Sequence, residues 1–266
     1  MDIIQRNFFR LLRSGVLNEY ESLEPMSTFK WNRLFQIVKV QGVEDIALKG
    51  IKNHTYDENA NIPKTLVDSL MEEEIEDTPT TLPQMCNSVL RKRLKKIQTE
   101  ERHHIDASMI TLDLLNIIVK NTESILNSGI SLKYITEIGS FLRTKGDKVD
   151  FVKLDNWLSS LHIQRMAQLE GSILISVFGF DEEEIPFVKK LEKSAYPLTI
   201  QTLARTEKET AKEWHFRQSD IGFVHNNSKV LRRNIRRSIR YVDYAPIETI
   251  SNLLHNFAKS LSEIEE

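Results

Sequence analysis

The sequence predicts an all-α fold, a multi-helix bundle without a sizeable sheet. Apolar residues recur at intervals of three and four along nearly the whole chain, the period of a helix with one buried face, rather than alternating at two. Glycine is scarce: the chain has 9 in 266 residues, where average composition supplies about 19. Hairpin-rich β folds and glycine-rich phosphate loops are therefore poorly provided for. A chain of this length with 40% hydrophobic residues buries a real core without disulfide or metal staples.

The elements follow in order. Ile3, Ile4, Phe8, Leu11 and Leu12 share one face of a first helix, which Gly15 is expected to close in a left-handed cap. Ser27 or Thr28 caps a second, with Phe29, Leu34, Phe35 and Val38 as its stripe and Gly42 as its stop. Residues 53–62 read as loop. Pro63 suits the first turn of a short helix through Leu66, Leu70 and Ile75, and the acidic, Pro/Thr-rich run at 76–83 reads as a linker. A basic polar helix after Pro83 leads into a segment from Met109 to Val119 that is apolar nearly all round and so belongs at the centre of a bundle.

Ser131 caps the next helix, with Leu132, Ile135, Ile138, Phe141 and Leu142 inward and Gly146 as its stop. Asp150 caps another through Val152, Leu154, Trp157, Leu158 and Leu161. The run at 172–178 resembles a buried strand, but Ile163, Met166, Leu169, Ile173 and Val177 carry a helical spacing through it to Gly179, which decides for helix. A polar cluster at 225–228 precedes a basic helix. Pro246 opens the last, whose stripe is Ile247, Ile250, Leu254, Phe257 and Leu261. No repeat appears. The chain reads as one all-α unit over 1–266, divisible into helices at 1–78, a central bundle at 82–190 and helices at 191–266.

Charge narrows the function classes. With 36 Lys and Arg against 38 Asp and Glu the net charge is −2, so any anion binding must come from a local patch. Cys86 is the single cysteine; it has no intramolecular partner, and the cytoplasm is the expected compartment. Arg6, Arg10 and Arg13 interrupt the apolar residues of the start, so no secretory signal is expected there. No stretch approaches the 18 or more apolar residues of a membrane span.

The strongest local charge is the segment 229–240. At about 100° per residue, Lys229, Arg232, Arg233, Arg236, Arg237 and Arg240 fall within an arc of roughly 140°, with Leu231, Ile235, Ile239 and Val242 on the other side. Such a helix is expected to bury the apolar side and present guanidinium groups, shaped for bidentate anion contacts, on the other. These six residues are the candidate anion- or partner-binding set. The basic run at 91–96 is more mixed and reads as surface. Glu100 with His103 and Glu101 with His104 have the spacing of carboxylate-bridged metal sites, but such sites draw the same motif from a second helix, and none exists. No metal or cofactor is expected. The familiar nucleotide loops and the nucleophile elbow are absent.

Three stretches, 8–54 in its helical parts, 129–187 and 232–261, resemble the bacterial uncharacterised nucleotidyltransferase family, which joins a polymerase-β-like palm to flanking helices. Residues 8–15 and the Trp31-containing helix resemble the N-terminal cap. The segment from Gly129 to the Glu183-Glu184-Ile185-Pro186-Phe187 end resembles the helical part after the palm. The run from Arg232 through Tyr244-Ala245-Pro246-Ile247-Glu248 resembles the C-terminal part. Together they cover about half of the chain. In active relatives the resemblance implies a palm with a magnesium-holding Asp-x-Asp pair in the interval corresponding to Asn53 through Ser128. That interval has no Asp-x-Asp or Asp-x-Glu and no glycine.

Two carboxylate pairs elsewhere imitate the motif. Asp147 and Asp150, three apart, would point to opposite faces of a strand; Asp181 and Glu183 are correctly spaced but belong to the helical end. No catalytic residue is assigned. The expected function is a palm-less, non-catalytic binding or assembly module with a protein partner, no membrane and little affinity for nucleic acid. The alternatives are an active nucleotidyltransferase with unrecognised metal carboxylates and a helical nucleic-acid or anion binder acting through 229–240.

Overall fold

Asp2 accepts the backbone N–H of Gln5 at 2.8 Å and so opens α1 (Ile3–Leu17), which closes on Asn18 in the left-handed region, φ 56°. This is the first helix of a computed structural model that describes residues 2–71, 82–101, 107–204 and 227–262. The expected stop at Gly15 is corrected: Gly15 lies inside α1, and its missing side chain serves a crossing instead. A Cβ there would sit 2.0 Å from the carbonyl oxygen of Ile46 in α3 (Glu44–Lys52). One on Gly50 of α3 would sit 2.2 Å from that of Leu11. The two helices touch backbone to backbone, which only glycine permits.

Between them, α2 (Thr28–Gln41) runs from Ser27 to a left-handed Gly42, as its caps predict. Trp31, Leu34, Phe35 and Val38 form its buried stripe, and the Trp31 indole donates to Asn61 Oδ1 at 3.1 Å. Phe29, expected in that stripe, is exposed, because it falls about 160° round the helix from Trp31. Val152 is exposed for the same reason on α8 (Phe151–Ser160), where Leu154 and Leu158 are buried. The connection from α1 to α2 is pinned by Asn7, which is fully buried and exchanges two hydrogen bonds with the Glu24 backbone, at 2.7 and 2.9 Å.

A short 3-10 turn (Glu58–Ala60) and α4 (Lys64–Met71) follow; the expected extension to Ile75 and most of the expected linker lie outside the described residues. Basic α5 (Ser88–Glu101) buries Leu90, Leu94 and Gln98 and leaves the Arg91–Lys96 cations exposed. It leads to α6 (Ala107–Asn127), which carries Leu112, Leu114, Leu115, Ile118 and Val119 into the core. Around α6 pack α7 (Leu132–Lys145), α8 and α9 (Gln164–Phe178), and α1 lies on α7 and α9. Helix is the correct reading of 172–178. A helical run at 195–204 (α10) and the pair α11 (Asn227–Tyr241) and α12 (Pro246–Ser262) complete the fold. One hydrophobic core extends from Ile4 to Ala245. Among the described residues there is no strand, including those of the 53–128 interval.

At the centre, α9 is buried almost all round and includes a carboxylic acid, Glu170. Thr122 of α6 donates to its Oε1 at 3.1 Å, and its other oxygen has no hydrogen-bond partner. Burial pushes the Glu170 carboxyl well above its ordinary value of 4.5, against smaller opposing contributions from Thr122 and Asn121. The core therefore favours the neutral acid.

Two predictions follow from this packing. Gly15→Ala forces the α1 and α3 backbones apart and is expected to destabilise the protein by at least about 1–3 kcal/mol. Gly146→Ala, whose Cβ meets nothing closer than 3.8 Å, should leave the urea midpoint unchanged or slightly raised. For Glu170, a raised folded value means that the unfolded chain releases its proton first. Stability contributed by the neutral acid is present below about pH 4.5 and declines as pH rises, by about 1.4 kcal/mol per pH unit until the folded group ionises. Urea titrations across pH should show Glu170→Gln lacking that slope and gaining on the wild type as pH rises.

Candidate interaction surface on α11 and α12

The connection 242–245 anchors both helices. Tyr241, Tyr244 and Ala245 are buried, the Tyr244 hydroxyl bonds Ser194 Oγ, and the Arg165 guanidinium lies 4.8 Å over the Tyr244 ring. Arg165 also donates to the Asp243 carbonyl at 3.3 Å and pairs with Glu192 at 2.8 Å.

From Pro246 onward α12 is turned against its composition. Its inward residues are polar: Glu248, Thr249 and Asn252 are buried. Glu248 accepts the backbone N–H of Cys86 and, at 3.1 Å, that of Asn87, just before α5. Asn87 donates to Ser251 Oγ at 3.0 Å, and Asn256 reaches Asn252 Oδ1 at 3.3 Å and Asn127 Oδ1 at 3.5 Å. Burial raises the Glu248 carboxyl, while the two N–H groups and the Arg91 charge pull it back.

The outward side is apolar. Ile247, Ile250, Leu254 and Phe257 are spaced three, four and three apart and lie within about 80° of arc, and all are exposed. The closing stripe expected to face the core is thus corrected: it faces out, and Leu261 lies beyond the residues whose side chains are described.

A similar correction applies to α11. Ile235 and Ile239, expected to be buried, are exposed, and the exposure of these outward apolar residues on the two helices runs from 37% at Ile247 to 70% at Ile239. Arg237, expected on the open basic face, is buried, and its Nη1 donates to the Asn127 carbonyl at the end of α6. The physical reason is the need of that carbonyl for a donor, since the last carbonyls of a helix have no partner within it. Tyr241, four residues on, fills the same side.

The six-residue basic set is therefore divided. Arg232, Arg233 and Arg236 are exposed beside the Ile235 and Ile239 strip; Arg240 is half-buried against Tyr241; Arg237 is structural; the Lys229 side chain lies outside the description. The outward apolar seam of α12 was readable as a stripe, but its direction was not.

The other sequence candidates are absorbed by local structure. Asp150 accepts the Lys153 N–H at 2.9 Å and caps α8. Asp181 caps a 3-10 turn (Glu182–Glu184) through a reciprocal capping box with Glu184. Burial and the nearby Glu248 and Glu123 carboxylates raise the Cys86 thiol to about 11, which keeps it a poor nucleophile. His103 and His104 lie outside the described residues, among which no three His, Cys, Asp or Glu gather as a metal set. A shallow cleft of about 270 Å³ between Leu82, Pro83 and α5 brings Arg91, Lys95, Gln98 and Thr99 together without a carboxylate. Among the described residues no helix is long and apolar enough to cross a membrane. Compared with known proteins, the chain matches no family model, no curated protein and no solved structure.

The divided arginines make a direct test. Arg237→Gln should cost about 1–3 kcal/mol in chemical denaturation, because the α6 carbonyl loses a buried charged donor. Arg236→Gln should stay within about 0.5 kcal/mol of the wild type.

Proposed function

We propose that this protein is a non-catalytic binding or assembly module, a palm-less relative of the helical flanks of the nucleotidyltransferase family, and that it takes a protein partner on the outward face of α11 and α12. The observation that carries the reading is the inverted α12: a helix that buries Glu248, Thr249 and Asn252 and turns Ile247, Ile250, Leu254 and Phe257 outward. Exposed apolar residues scattered singly are ordinary, but a periodic stripe on one helix marks a contact surface. Against catalysis at the two imitation motifs stands the use of Asp150 and Asp181 as helix caps.

A photo-crosslinking amino acid placed at exposed Ala258, on the same side of α12 as Ile247 and Leu254, should capture a second polypeptide in extracts of the source cells. The same group at exposed Asp147 should not. Ile250→Ser with Leu254→Ser should abolish the adduct while leaving the unfolding midpoint unchanged. Loss of the fold in that variant, or equal crosslinking at both positions, overturns the reading. A magnesium-dependent nucleotide site of micromolar affinity in isothermal titration would restore the enzymatic alternative.

A further inference from the structure

Resting on the reading of α11 and α12 as a docking face, we propose that its occupant is an acidic amphipathic helix of a partner protein, with apolar residues at alternating spacings of three and four.

The shape of the seam points to a helix. Ile247, Ile250, Leu254 and Phe257 repeat the three-four alternation of a coiled-coil stripe, which accepts the side-chain ridges of one facing helix. Their arc of about 80° is narrower than the face of 100° or more by which a helix beds into a continuous apolar phase. A lipid surface would use a broader face than this. Groove docking of a partner helix through residues at one-turn intervals matches the strip's width and period.

The charge around the seam points to acid. The segment 227–262 carries seven Lys and Arg against two carboxylates, Asp243 and Glu248, in a chain whose net charge is −2. Glu248 is buried and already holds two backbone N–H groups at the start of α5, so its charge is committed inward. Arg232 and Arg236 are exposed, one turn apart, on the same side of α11 as Ile235 and Ile239. No carboxylate pairs with either among the described residues. A second copy docked face to face would set the same cations against each other, at a cost of like-charge juxtaposition. A helix with glutamates flanking its apolar stripe meets both features at once: its apolar residues cover the seam and its carboxylates reach the guanidinium forks.

The test uses the full-length protein and two labelled synthetic helices of equal length, both with Leu at three-four spacing, one flanked by Glu and the other by Lys. In fluorescence anisotropy the Glu peptide should bind at least tenfold more tightly than the Lys peptide and than a Glu peptide with scrambled Leu positions. Arg232→Gln with Arg236→Gln should weaken binding about tenfold and flatten its salt dependence. Leu254→Ser should weaken it to a similar extent with the salt dependence retained.

Equal affinity for the Glu and Lys peptides overturns the proposal. So does a concentration-dependent dimer in sedimentation equilibrium that Leu254→Ser dissolves, or tight binding to vesicles of 30% phosphatidylserine or to duplex DNA without binding of the Glu peptide. If crosslinking at Ala258 still captures a partner when the Glu peptide fails to bind, the docking face stands and the acidic helix falls. If both fail, the docking face falls with it.

Discussion

The Glu248 carboxylate governs the part of the molecule that faces outward. It stands in the first turn of α12, is buried, and accepts the backbone N–H groups of Cys86 and Asn87 far away in sequence. Those N–H groups precede α5, where the helix has no acceptors of its own for them. A carboxylate that leaves them would expose buried donors and lose its own compensation, a double cost. Once Glu248 is fixed inward, the 3.6-residue period fixes the rest of α12: Asn252 and Asn256 follow it in, and the apolar residues must turn out. Composition alone favours the opposite rotation, because four large apolar side chains would gain more by burial than asparagines do. The polar anchor prevails because the core is already filled by α6 and α9, while the edge at 86–87 and 127 presents backbone groups that need partners.

The same logic operates at Arg237. The end of α6 presents carbonyl acceptors, and an arginine within reach satisfies them and complements the negative end of the helix. In both helices, orphaned backbone groups on a neighbour decide the rotation, and the hydrophobic pattern yields. The N-terminal helices obey a different constraint. There the α1 and α3 backbones meet at Gly15 and Gly50, and distance rather than hydrogen bonding sets the geometry.

These cases separate what a sequence can carry from what it cannot. Periodicity and caps are local, so the ends of α2 at Ser27 and Gly42, the Asp150 cap of α8 and the helical state of 172–178 were legible from residue order. Gly15 has the look of a terminator in residue order, because a glycine that stops a helix and one that lets two helices touch look alike without knowledge of the neighbour. Phe29 and Val152 each stand two residues from a buried stripe residue and count with the stripe by proximity in sequence, although the helical angle sets them on the far side. The rotations of α11 and α12 depend on groups more than a hundred residues away, Asn127 for one and Cys86 with Asn87 for the other. The basic set was visible as a set, and its division into a structural Arg237 and exposed Arg232, Arg233 and Arg236 needed the end of α6 in view. The likeness to nucleotidyltransferase flanks rests on the residue patterns alone.

The polar inner face of α12 also bears on how firmly that helix is held. Contacts such as Asn256 to Asn252 and Asn127 are ones that water can replace at small cost, whereas burial of leucines is not so easily replaced. Beyond its anchored first turn, α12 therefore belongs to the low end of the molecule's local opening free energies, with amides that exchange their hydrogens early. A partner seated on the outer seam would supply the hydrophobic closure that the body of the protein does not, and would slow that exchange by up to a factor of one plus the ratio of its free concentration to its Kd.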